Sequence, residues 1–178
     1  MPQLLMISGS LRANSLNTKL VREAGRLWSG EAVMADIAMP LYNGDDEEAT
    51  GLPPATLALT EQIKAADAVA ISTPEYNQSL PGGLKNALDW VSRTPDKPWQ
   101  DKPVAIMSAA AGRAGGARAL YALRLAMNAF QPRLITGPEM MVAGAAKEFD
   151  EAGELTGELY LKTLTSVMDK LAGMVDAA

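Results

Sequence analysis

The sequence predicts an α/β fold, a three-layer arrangement in which a five-stranded parallel sheet of order 2-1-3-4-5 carries helices on both faces. Two observations carry this prediction. Short uninterrupted apolar runs recur along the chain, as in strands buried on both faces, and amphipathic helical patterns alternate with them, as right-handed crossovers between parallel strands require. With 178 residues, 48% of them hydrophobic, there is material for one sizeable core and little for a second. Residues 1–178 are therefore read as one domain, without internal repeat or linker.

The apolar runs are Gln3 to Ser8, Ala32 to Asp36, Ala68 to Thr73, Val104 to Ala109, and a stretch around Leu134 to Val142. Between the first two, Leu16, Leu20, Ala24 and Leu27 recur at helical spacing. Leu59, Ile63 and Ala66 form the next helical stripe, then Leu84, Leu88 and Val91, then Leu120, Leu123, Met127 and Phe130. A last helix carries Leu164, Met168, Leu171 and Val175. Two segments, Met39 to Pro54 and Ala143 to Gly153, read as irregular and outside the core. The acidic run from Asn43 to Glu48 reads as a solvated loop, because adjacent carboxylates without spaced ligands make a poor cage. No metal is expected.

Composition excludes much chemistry. There is no Cys and no His, so disulfides, thiolate nucleophiles, the usual proton shuttle and Cys- or His-ligated zinc are all absent. A formal charge of −5 argues against nucleic acid as a partner. The first residues show no charged leader followed by an apolar run, and no apolar stretch is long enough to span a bilayer, so a cytoplasmic protein is expected.

The unusual residues fall in three loops, after strands 1, 3 and 4. In a sheet of this order those loops emerge side by side at the carboxyl edge, where open α/β sheets bind ligands. The first joins Ile7 to a helix through Gly9, Ser10, Arg12, Ser15 and Asn17. Hydroxyls, an amide, a guanidinium and free backbone N–H groups converge there as a phosphate cradle. It lacks the G-x-G-x-x-G of a dinucleotide site, no P-loop occurs, and the first strand ends without the clustered acids of a phosphoacceptor. The second, Thr73 to Gly83, offers the Tyr76 ring and the Asn77 amide, stiffened by Pro74 and Pro81. The third, Ser108 to Gly116, includes Gly112 and is small and Gly-rich just before a helix. Backbone N–H groups there can approach a ring edge that turns negative on reduction, such as that of an isoalloxazine.

The simpler readings are ordinary turns, a capping role for Asn14 or Ser15, a packing role for Tyr76, and a solvent-facing Glu75. Lys85, Asp89 and Arg93 read as a surface ion-pair ladder at i, i+4, i+8. The Trp and Met residues are core or interface material, with Trp90 and Trp99 as interface candidates.

Three groups of residues resemble the NADPH-dependent FMN reductase family of flavodoxin-like proteins, in its quinone, chromate and azo-dye reducing branch. They are Gly9-Ser10-Leu11-Arg12 with Ser15 and Asn17; Thr73 to Asn77 followed by Pro81 to Trp90; and Gly115-Gly116-Ala117-Arg118. The resemblance covers nearly the whole chain in order. It implies that Ser10, Arg12, Ser15, Leu16 through its backbone, and Asn17 surround the FMN phosphate, and that Pro74, Glu75, Tyr76 and Asn77 border the ring. Ala110 stands where relatives often place a Ser, so only backbone bonding carries over there. It further implies a homodimer or homotetramer, with Arg118, Tyr121 and Glu139 in an intersubunit network. An intrahelical contact between Arg118 and Tyr121 is the competing reading.

The expected activity is that of an FMN-dependent NAD(P)H oxidoreductase. NADPH or NADH reduces the bound flavin, leaves, and is replaced by a quinone, chromate, an azo compound, a ferric chelate or free flavin. Hydride chemistry belongs to the flavin, so no catalytic side chain is expected. The alternative is a one-electron carrier that binds FMN without turning over NAD(P)H.

Overall fold

The computed structural model describes residues 1–177. Among these residues six strands and six α-helices follow in order: β1 Gln3–Ser8, α1 Leu16–Leu27, β2 Glu31–Met34, α2 Gly44–Thr50, α3 Pro54–Ala65, β3 Ala68–Thr73, α4 Gly82–Ser92, β4 Pro103–Ala109, α5 Ala117–Met127, β5 Arg133–Leu134, β6 Met140–Val142 and α6 Glu158–Asp176. The sheet is parallel throughout in the order β2-β1-β3-β4-β5. Each interior strand alternates its side chains between two cores. Leu4 and Met6 face α1 and α6 with Leu20, Leu164 and Leu171, while Leu5 and Ile7 face the other layer with Ile63, Leu88 and Leu123. Each such fully buried Leu or Ile stabilises by about 1.5–3 kcal/mol relative to exposure.

Five features differ from the sequence reading. The fifth strand is two segments, β5 against the start of β4 and β6 against its end, separated by a stretch containing the cis Gly137–Pro138 bond. The second strand is shorter and begins one residue earlier. The acidic run is a helix rather than a loop. Asn43 caps it by accepting the Asp45 N–H at 3.1 Å, and Asp45, Asp46 and Glu47 sit at its positive end. It buries no side chain of its own and is held from outside, where Arg93 Nε donates to Glu47 at 2.9 Å and the Tyr42 hydroxyl donates to it at 3.0 Å. Arg93 therefore leaves the expected ladder, in which only Lys85 and Asp89 pair, at 2.6 Å.

The fourth difference concerns Trp90 and Trp99, which are internal rather than at an interface, each 2% exposed. Trp90 Nε1 donates to the Pro40 carbonyl at 2.8 Å and its ring meets Tyr42 edge-on at 5.0 Å. Finally, the segment 143–153 contributes to the core after all, through buried Ala145 and Phe149. No helix among the described residues is long and apolar enough to cross a membrane, and no cluster of His, Cys, Asp and Glu there suits a metal ion.

The register sets the position of the loops. Ser8 lies beside Ser72, Thr73 beside Ser108, and Ala109 beside Val142, so the ends of β1, β3, β4 and β6 come level at the carboxyl edge.

Candidate functional site

The loop after β1 is held close to the sheet. Gly9 N–H donates to the Ser72 carbonyl at 2.7 Å, and a Cβ there would stand 3.0 Å from Leu84 and 3.3 Å from that same carbonyl. Ser10 Oγ accepts the Arg12 N–H at 3.3 Å, and Ser15, the N-cap of α1, accepts the Asn17 N–H at 3.2 Å. Each hydroxyl thus uses a lone pair on the backbone and keeps its hydrogen for an outside acceptor. Among the described residues the Leu16 and Thr18 N–H groups, at the first turn of α1, have no protein partner. That turn carries no acidic residue, and Arg12 is exposed and outside any ion pair among the described residues. These donors are positioned for an anion and none is neutralised.

Asn17 differs from its neighbours. It is 2% exposed, and its side chain ties α1 to the sheet. Its Nδ2 donates to the Ala109 carbonyl at 2.9 Å, while its Oδ1 accepts the Ala109 N–H at 2.9 Å and the Ser72 hydroxyl at 2.9 Å. One amide hydrogen stays free; the rest of the group is framework.

After β3, Tyr76 and Ser79 exchange backbone hydrogen bonds at 3.0 and 3.1 Å around Asn77 and Gln78, whose φ angles are +49° and +67°. Two left-handed residues in succession define a tight hairpin turn of a type that favours Asn-Gly. The turn places Asn77 at the hairpin tip and leaves Tyr76 45% exposed. Glu75 is not free in solvent. Its Oε2 accepts the Arg118 backbone N–H at 3.0 Å, and its Oε1 accepts the Arg118 guanidinium at 3.2 Å.

In the loop after β4, Ala110 donates its N–H to the Val142 carbonyl at 3.0 Å and accepts the Ala145 N–H at 3.0 Å, so its backbone serves the fold. The neighbouring N–H groups of Ala111 and Gly112 have no partner among the described residues. Gly116 begins α5 at φ +86°, where a Cβ would meet Ser108 Oγ at 1.9 Å. Only glycine lets this helix start so close to β4.

These loops enclose a cavity of about 320 Å³. The first contributes Ser10, Arg12, Ser15, Leu16 and Asn17, together with Asn14; the second contributes Pro74, Glu75 and Tyr76; the third contributes Ala110 flanked by Ala109 and Ala111. Asn77 and Gly112 do not reach the wall. Asn14 was visible in the sequence only as a helix cap, and Ala109 and Ala111 contribute methyl surface that has no chemical signature. A cleft of about 260 Å³, lined by Leu11, Gly82 and Gly83, shares Arg12 and Tyr76 with this cavity. A larger cavity, about 540 Å³, lies elsewhere, between α4, the 97–100 loop and the end of α5. It has more volume, but the unengaged hydroxyl, guanidinium and backbone donors converge on the smaller one.

Of the residues expected to join subunits, Tyr121 donates its hydroxyl to Glu139 at 3.0 Å within one chain, and this bond raises the tyrosine pKa. Arg118 instead pairs with Glu75, and among the described residues no hydrogen bond joins the Arg118 and Tyr121 side chains.

Residues 2–147 match the model of the NADPH-dependent FMN reductase family. An NAD(P)H-dependent FMN reductase of Pseudomonas aeruginosa is 47% identical over 156 residues, covering 86% of this chain and 84% of that protein. A quinone reductase of Escherichia coli K12 is 39% identical over 168 residues, covering 92% and 89%. The solved structure of FerB, a flavoenzyme NAD(P)H:(acceptor) oxidoreductase from Paracoccus denitrificans, superposes with a TM-score of 0.88 at 32% identity, covering 99% of this chain and 98% of that one.

Proposed function

This chain belongs to the NADPH-dependent FMN reductase family, and from that premise we propose that the carboxyl-edge cavity holds FMN and admits NAD(P)H and then a quinone. The protein is an FMN-dependent NAD(P)H oxidoreductase. Bound FMN supplies hydride acceptance from the nicotinamide and delivery to the acceptor.

The chain's own residues bind and orient. The Arg12 fork and the Ser10 and Ser15 hydroxyls grip the phosphate, with the Leu16 and Thr18 N–H groups and the positive end of α1 behind them. The free Asn17 amide hydrogen completes the cradle, although the main task of that side chain is to fix the distance between α1 and β4. Pro74 and Tyr76 form one side of the ring site, and Glu75 is held at its border by Arg118. Ala109, Ala110 and Ala111 keep the opposite side flat, and the Ala111 N–H is available to the ring edge. No side chain is assigned a proton transfer.

The observation that carries the assignment is the set of unengaged donors around one cavity whose single lining carboxylate, Glu75, is paired with Arg118 rather than with Arg12. Quinones are the favoured acceptors because the E. coli relative is a quinone reductase. Chromate, azo compounds, ferric chelates and free flavin follow as broader acceptors of the same reduced ring. A single FMN-binding domain over residues 1–178, a cytoplasmic setting and a homodimer or homotetramer belong to the same proposal. Because Tyr121 and Glu139 already bond within the chain, they serve a partner surface as a fixed pair.

The test is anaerobic mixing of the FMN-loaded protein with NADPH or NADH, followed by a benzoquinone. Rapid loss of the flavin absorbance and its return on adding quinone are expected. Persistence of the oxidised spectrum with both nicotinamides would overturn the reading.

A further inference from the structure

The Glu75–Arg118 pair joins the loop after β3 to the first turn of α5, where the carboxylate takes a backbone N–H as well as the guanidinium. Glu75 belongs to the loop after β3 and lines the cavity; Arg118 is the second residue of α5, beyond the opposite loop. The side chains are 43 positions apart in sequence and bridge the two walls of the ring site. The carboxylate takes both a backbone N–H at 3.0 Å and a guanidinium N–H at 3.2 Å. It is thereby fixed in place, with its side chain only 17% exposed while that of Arg118 is 59% exposed.

Two charges of opposite sign therefore stand at different depths beside the cavity. The carboxylate lines the wall, and the guanidinium, outside that lining, is the more exposed of the two. Two-electron reduction adds negative charge to a flavin ring, so a fixed carboxylate at the border opposes reduction and a fixed guanidinium favours it. Their sum depends on both being present and on their separation.

We infer that Glu75 and Arg118 form a positioning pair that sets the reduction potential of bound FMN, Glu75 lowering it and Arg118 compensating. The inference rests on the cavity being the FMN site. The two side chains do not take part in the reaction; they act on the ring electrostatically, and they hold the loops after β3 and β4 at a fixed spacing. Glu75→Gln keeps an oxygen for the Arg118 backbone N–H while removing the charge. Arg118→Met removes the guanidinium while keeping that N–H and most of the side-chain length.

The experiment is anaerobic dye-equilibration titration of the FMN-loaded wild type, Glu75→Gln, Arg118→Met, Arg118→Lys and the double variant Glu75→Gln/Arg118→Met, with FMN affinity measured for each by fluorescence quenching. Glu75→Gln shifts the reduced-to-oxidised ratio at fixed potential about tenfold toward reduced, ~30 mV for a two-electron couple. Arg118→Met shifts it in the opposite direction, Arg118→Lys stays near wild type, and the double variant returns toward wild type. A mere tether between loops would move both single variants in one direction. That result, or no shift in either, overturns the inference and leaves the FMN site standing. If Glu75→Gln fails to retain FMN, the two Arg118 variants decide by the same criterion: a lowered potential in Arg118→Met with little change in Arg118→Lys supports the pair, and any other pattern overturns it. A wild type that binds no FMN overturns the site assignment itself and the inference with it.

Discussion

Replacing Asn17 with Ala separates framework from ligand at the first loop. The change removes three hydrogen bonds of 2.9 Å and leaves the Ala109 N–H, the Ala109 carbonyl and the Ser72 hydroxyl without their partner at the end of the sheet. At a net value of about 1 kcal/mol per bond the loss is roughly 3 kcal/mol, and unsatisfied buried groups push it higher. For a chain of this size each kcal/mol corresponds to about 2–4 °C, so Tm falls by roughly 6–12 °C. The assay is urea unfolding of the FMN-free protein, in which the midpoint drops while the slope is unchanged. Arg12→Ala is the control, because Arg12 is exposed and makes no ion pair among the described residues, and it leaves the unfolding free energy within about 0.5 kcal/mol of wild type. If Asn17→Ala is as stable as wild type without FMN yet loses FMN affinity, Asn17 is a ligand and the framework argument fails.

Two further outcomes follow from strained or buried groups. Gln78 has φ +67° in a turn that favours glycine at that position, so Gln78→Gly stabilises by about 0.5–1 kcal/mol; a lower Tm would show that the left-handed conformation is not the resting one. Burial holds the Glu23 carboxyl above its usual range, only partly offset by Arg26, with Glu154 and Asp150 adding to the rise. The folded state therefore binds this proton more tightly than the unfolded chain, whose value is about 4.3. The Glu23 contribution is most favourable below that value and is lost as pH rises through the folded one. Glu23→Gln removes this dependence, so its stability relative to wild type improves from pH 4 to pH 7 in paired urea titrations, and parallel curves would refute the assignment.

Much of the fold was readable because β1, β3 and β4 are buried on both faces and so appear as unbroken apolar runs between helical stripes. Helix α2 was not, since it has no apolar face; Arg93 and Tyr42, distant in sequence or outside the helix, hold its Glu47. The broken outer strand was read as one because Leu134-Ile135 and Met140-Met141-Val142, on either side of Gly137 and Pro138, are both apolar. At the site, the polar side chains of the first loop signalled an anion, but which of them were already engaged depended on long-range contacts. Asn17 meets Ala109 across 92 positions, and Glu75 meets Arg118 across 43. Local spacing carries no record of either.

The central claim is that the loop after β1 grips the phosphate of FMN. Fluorescence titration with FMN and with riboflavin, which lacks only that phosphate, tests it most directly. With charge-assisted bonds contributing about 1.5–3 kcal/mol each, the wild type is expected to bind FMN at least about 100-fold more tightly than riboflavin, and Arg12→Ala to lose most of that preference. Equal affinity of the wild type for the two flavins would contradict the account.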